Sequence, residues 1–200
     1  MNAKSVKVKK PEKLTVRDFV TLAIMIVLHF LVHTLTTPLG MTAVGNLFVY
    51  TMDGVALGTA YMLMCTRVNK KKAVLVYGLG VSIILMMNAW MSGLVTAIGA
   101  VIVEIVWEKL DRKKLSTITI CYMIQILFLH IGAIVPLVLF KDLYLESIPA
   151  YAELYSAVYE AATSYLFFVA LLTTIIASIV GAMIGKMILR KHFEKAGIVA

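Results

Sequence analysis

The chain has 200 residues, of which 61% are hydrophobic and only 15% charged, and a formal net charge of +8. A soluble domain is nearer half apolar and spreads its charges over its surface. Here eighteen of the nineteen Lys and Arg residues fall in four clusters, at 4–17, 67–72, 109–114 and 186–195, which excludes a soluble globular protein. The positive balance therefore reads as membrane topology and contact with anionic lipid, with no nucleic-acid surface implied.

Each span needs about 20 apolar residues, so the apolar content predicts an all-α bundle of six transmembrane helices in one domain. A basic tail at 1–13, expected to be poorly ordered, leads into span 1 at about 15–35. That stretch is too long for a signal-peptide core, and the following HTLTTPLG offers no small-x-small cleavage site, so it is expected to remain as a span. A polar turn with Pro38 and Gly40 precedes span 2, at about 43–66. Residues 73–107 form one apolar run. As a single helix it would be roughly 50 Å long, against a ~30 Å hydrocarbon core. It would also put the basic clusters that flank it on opposite sides. Two short spans, at about 73–90 and 93–107 with an outer turn near 88–93, satisfy both constraints.

Span 5 is expected at about 115–140 and span 6 at about 162–189. Between them, the segment 141–161 is the long polar connection, with four acids and the tyrosines Tyr144, Tyr151, Tyr155 and Tyr159. Spacing of 151, 155 and 159 would place three tyrosines on one helical face. Lys141 stands apart from the basic clusters, and pairing with Asp142 is the simple account of it. Since Lys and Arg in short loops mark the cytoplasmic side, the clusters predict a multi-pass membrane protein. Both termini are then inside and the acidic, tyrosine-rich segment outside.

Polar side chains within the spans point to a pocket. His29 and His33 are four apart on span 1, Asp53 is near the middle of span 2, and Asn88, Gln125 and His130 follow. A carboxylate in mid-membrane costs ~2.5–3.5 kcal/mol on the insertion scale, so such a group faces a cavity or a partner. Depth and polarity give His33, Asn88, Trp90, His130, Tyr155 and Tyr159 as substrate contacts in the outer half, with His29 and Asp53 as the floor. The plainer account is that these groups hydrogen-bond between helices. Trp90 and Trp107 fit interfacial belts, and Cys65 and Cys121 read as reduced packing residues. Glu104 and Glu108 are expected to pair with Lys109, Arg112 or the lipid interface. Thr173, Ala177, Gly181 and Gly185 form a small-residue stripe on span 6, echoed by Gly54 and Gly58. The stripe serves either packing within the bundle or docking of another subunit.

Enzyme motifs are absent. The sequence has no GxSxG, Walker A, HExxH or paired-glutamate motif, so no enzymatic activity and no cofactor is expected. An alternative class is an intramembrane metal-dependent enzyme, or metal-binding membrane protein, using His29, His33, His130 and Asp53. A third is a structural membrane subunit with no polar pocket.

Two stretches carry a resemblance. KLTVRDFVTLAIMIVL, at 13–28, resembles the basic flank and first span of S components, the substrate-binding subunits of energy-coupling factor (ECF) transporters. GAMIGKMILRKHFEKAGIV, at 181–199, resembles the C-terminal end of the Trep_Strep (MptD-like) group of such proteins. The resemblance implies an S component that captures a small, vitamin-like micronutrient outside and works with a T component and two ATPases of an ABC-type importer. It also implies a small-residue AxxxA contact with the T component, for which this chain has Ala23 and Val27. The span 6 residues Ala177, Gly181 and Gly185 are expected to share that docking role. The chain begins Met-Asn-Ala, without the second-position His of nickel and cobalt members, so no metal is expected.

Overall fold

The computed structural model describes residues 13–195, and the described chain contains helices but no strand. The poorly ordered tail expected at 1–13 lies, but for Lys13, outside the described residues, as do the last five residues.

Helix α1 (Val16–Thr36) starts at a reciprocal cap in which Asp18 Oδ2 accepts the Thr15 N–H at 2.7 Å and the Thr15 hydroxyl accepts from the Asp18 N–H. A 3-10 turn (Thr37–Met41), led by Pro38, joins it to α2 (Ala43–Ala56). α3 (Gly58–Arg67) continues α2 at a bend of 45°. Then follow α4 (Ala73–Met86), α5 (Trp90–Lys109), α6 (Leu115–Leu139), α7 (Lys141–Ser147), α8 (Ala152–Ala162) and α9 (Leu166–Lys195).

Among the described residues four helices are long and apolar enough to cross a membrane: α1 with its turn, α5, α6 and α9. The bent pair α2–α3 makes a fifth if taken as one span. α4 has 14 residues, so it is roughly 21 Å long, short of a ~30 Å core. Span 2, expected at about 43–66, is broken at Leu57. The expected turn at 88–93 is only Met87–Ala89, and Trp90 opens α5. The connection expected outside is itself helical, forming a cap from α7 and α8.

The break in span 2 has a packing cause. α9 crosses α2 and α3 where glycines meet: a Cβ on Gly181 would lie 2.9 Å from the Val55 carbonyl oxygen and collide with that of Gly54. A Cβ on Gly58 would strike the Gly181 backbone, and one on Gly185 would lie 3.1 Å from the Gly58 carbonyl oxygen. Backbone contact this close requires residues without side chains. Ala177, Gly181 and Gly185 are consequently buried against α2 and α3. The expectation that they dock another subunit is therefore corrected, because that face is occupied within the chain.

Three basic segments gather at one end. Lys70 Nζ lies 2.6 Å from Asp18 Oδ2, Lys71 lies 3.9 Å from Glu108, and the Asn69 amide donates to the Arg112 carbonyl at 2.9 Å. Trp107 is fully buried here and donates from Nε1 to the Lys70 carbonyl at 2.9 Å, so it is a core residue and not part of an interfacial belt. Glu104 accepts the N–H groups of Lys72 at 2.6 Å and Leu75 at 3.2 Å. It thus caps α4, whose own N-cap residue, Lys72, has φ 65° and supplies no side-chain cap. Glu104 and Glu108 were expected to look to Lys109, Arg112 or lipid; Glu104 caps α4 within reach of the Arg112 charge, and Glu108 meets Lys71. α9 runs to the same end, since Leu189 packs in one cluster with Met62, Cys65 and Val68. Cys65 and Cys121 are buried free thiols in that cluster. A second apolar cluster, containing Leu47, Met91, Ile134, Leu137, Tyr144 and Val158, seats the α7–α8 cap at the opposite end.

Candidate functional site

At the capped end the helices leave a partly enclosed cavity of about 360 Å³. α1 and its turn contribute Phe30, His33, Thr34 and Thr37; α2 contributes Asn46, Val49 and Tyr50. Asn88 and Ser92 come from the α4–α5 corner and Ala133 from α6, while the cap supplies Tyr144, Ile148, Tyr151 and Tyr155. The wall is thus apolar in area but studded with neutral donors and acceptors, the usual make-up of a small-molecule site.

The floor is built around Asp53. Its Oδ2 is 2.7 Å from His33 Nδ1, and its Oδ1 accepts the Thr36 hydroxyl at 2.6 Å. The side chain is 1% exposed, so both oxygens are spent on partners, as burial in an apolar bundle requires. Below it, Tyr122 donates to the Gly54 carbonyl at 2.7 Å, close to the α2–α3 break. A smaller void behind the cavity is lined by His29, His33, Tyr50 and Asp53. Tyr50 stacks on His33 on one side and on His130 on the other, with ring centroids 6.2 and 5.3 Å apart. The three rings form a braced wall along α1, α2 and α6.

The cap is tied to the bundle by polar contacts. The Ser92 and Tyr144 hydroxyls are 3.1 Å apart, and the Asn46 side chain lies beside the Tyr155 hydroxyl. Burial pushes both phenols above the usual tyrosine range, so they stay protonated at neutral pH and can donate. Lys141 sits 3.6 Å from Glu160 and 4.0 Å from the Tyr159 ring centre. Its expected pairing with Asp142 is corrected to this cross-cap contact.

The residues expected from sequence divide into three groups. His33, Asn88 and Tyr155 line the cavity. His29 and Asp53 line the void behind it, where His29 is 2.6 Å from the Tyr77 hydroxyl. Trp90, His130 and Tyr159 do not reach the cavity. Trp90 is 46% exposed on the outside of the bundle, His130 is buried behind Tyr50 against Thr174 at 2.9 Å, and Tyr159 is held under Lys141. Nor do the three spaced tyrosines act as one face, because Tyr151 belongs to a 3-10 turn before α8. Gln125 is buried with both amide atoms unpaired, and it lines neither void.

Asn46, Tyr50, Ser92 and Tyr144 were not singled out from sequence as contacts. Asn46, Tyr50 and Asp53 follow i, i+4, i+7 on α2, so one polar helical face was there to be read. His29, His33, His130 and Asp53 do not converge as the metal-enzyme alternative requires. Two of the histidines bond away, to Tyr77 and Thr174, and no group of three or more His, Cys, Asp or Glu is placed to hold a metal among the described residues.

A family model described as a hypothetical bacterial integral membrane protein, Trep_Strep, matches residues 16–195. The chain belongs to the Trep_Strep family. No curated protein and no solved structure matches it. The Trep_Strep match runs from the first residue of α1 to the last of α9 and so includes every residue of the cavity. As a bacterial integral membrane protein, this Trep_Strep chain presents a polar cavity at one end of its bundle and a basic rim at the other. Such a cavity can bind and orient a small molecule. Within the lining, His33 is the residue joined to a carboxylate, that of Asp53.

Proposed function

We propose that the chain is the substrate-binding S component of an ECF-type importer, taking a small organic micronutrient into the capped cavity from outside. The observation that carries this reading is the position of the cavity. It opens at the end of the bundle opposite the basic segments, and basic segments mark the cytoplasmic side. With the bent α2–α3 pair as one span and α4 as a short sixth, both termini lie inside and the α7–α8 cap lies outside. The absence of any nucleotide motif in the sequence agrees with a subunit that borrows its ATPases.

Coupling would use α1. Only 11% of its most apolar window is buried, and Ala23 and Val27 lie on the exposed face. That face is left for the T component, whereas the α9 stripe is not. The test is co-purification of the tagged chain from native membranes in mild detergent. A T component and two ATPases should accompany it, and Ala23→Phe should release them without loss of the folded chain. A chain that purifies alone, with α1 variants that change nothing, would contradict the role. Labelling of single cysteines at Glu146 and Arg190 from either side of the membrane tests the orientation: Glu146 should react from outside and Arg190 only from inside.

A further inference from the structure

The capture role leaves the ligand's chemistry open, and the cavity restricts it. Resting on that role, we infer that the ligand is an uncharged, planar nitrogen heteroaromatic compound of roughly nucleobase to nucleoside size, without a phosphate or carboxylate group.

Charge is the first restriction. None of the nineteen lining residues is Lys, Arg, Asp or Glu, and the single histidine among them, His33, has its Nδ1 committed to Asp53. The nearest carboxylate, Asp53, has both oxygens taken by His33 and Thr36. The cap's Lys141 is turned to Glu160 and Tyr159, neither of which lines the cavity. An ionised phosphate or carboxylate would shed water here and gain no counter-charge, which is prohibitive in an apolar setting. A cation fares little better, since the Asp53 carboxylate is already satisfied.

Shape and hydrogen bonding are the second. Tyr50 is held flat by His33 and His130 at interplanar angles of 25° and 23°. With those neighbours on its faces, Tyr50 meets the cavity as a fixed ring beside Phe30, Tyr144 and Tyr155, and an aromatic wall of this kind suits a planar ligand. Around it stand Asn46, Asn88 and Ser92, with the protonated phenols of Tyr144 and Tyr155. This set offers donors and acceptors in mixed order, matching a heterocycle that carries both on one edge. The volume, about 360 Å³, equals about a dozen waters, room for a fused ring and a modest substituent.

The experiment is calorimetric titration of the purified full chain with paired probes: adenosine against AMP, riboflavin against FMN, and adenine and choline alone. A neutral heterocycle should bind saturably, and at least about tenfold tighter than its phosphate ester. Tyr50→Ala should weaken it by a similar factor. Asn88→Lys, at an exposed position on the rim, should narrow the preference by restoring a counter-charge to the wall. Tighter binding of AMP, FMN or choline, weakened by Tyr50→Ala, would overturn the ligand class while leaving the capture role standing. Binding of no probe by a folded chain would overturn the class and remove support for capture as well.

Discussion

The His33–Asp53 pair gives a prediction whose sign is informative. Asp53 accepts two hydrogen bonds, at 2.7 and 2.6 Å, with its side chain almost fully buried. Hydrogen bonds to a charged group contribute roughly 1.5–3 kcal/mol each, so removing both costs about 3–6. Asp53→Ala also removes an ion whose burial in a membrane costs ~2.5–3.5 kcal/mol, so its net effect is about 0–3 kcal/mol. His33→Ala loses one bond and leaves the carboxylate in place with Thr36 alone. It is therefore expected to be the more damaging change, although it removes the more exposed partner. In a double-mutant cycle the two positions should couple by about 1.5–3 kcal/mol, above the ~0.6 typical of interhelical hydrogen bonds in membrane bundles. The assay is equilibrium unfolding in mixed micelles with increasing SDS. Coupling below about 0.5 kcal/mol, or Asp53→Ala clearly worse than His33→Ala, would refute the reasoning.

The remaining predictions concern packing, capping and the cap. Gly181→Val forces a branched side chain onto the Gly54 and Val55 carbonyls and should cost roughly 1–3 kcal/mol or more, seen as a lower melting temperature in detergent. Glu104→Ala uncaps α4 and should cost about 1 kcal/mol, whereas Lys72→Gly relieves a positive φ and should cost nothing or stabilise slightly. Lys141→Ala, at the edge of the cap, should change stability by under about 0.5 kcal/mol and leave affinity for the bound heterocycle unchanged in the same titrations.

The helices themselves were legible because apolar runs and charge clusters alternate so sharply. Expected spans 15–35 and 115–140 match α1 and α6 to within a residue at each end. The break at Leu57 was not legible, although its cause was partly visible: Gly54, Gly58, Gly181 and Gly185 had been noted as small, but only three-dimensional crossing shows which backbone meets which. Apolar content also hid the helical cap, because α7 and α8 are amphipathic and polar enough to read as a loop. At the site, depth along a helix found His33, Asn88 and Tyr155 but also proposed His130 and Trp90. Depth says nothing of azimuth, and azimuth separates the cavity from the far side of Tyr50 or the lipid face. Trp107 fails as an interfacial residue for the same reason, since its position near a helix end does not reveal that it points inward to Lys70.

Energised uptake tests the capture role most directly. Proteoliposomes holding the chain with its T component and two ATPases should accumulate, in an ATP-dependent manner, the compound that the isolated chain binds. Replacing the ATPases' Walker lysines should abolish uptake and leave binding intact. Uptake that proceeds without the ATPases, or tight binding that never leads to uptake in the full complex, would contradict the account.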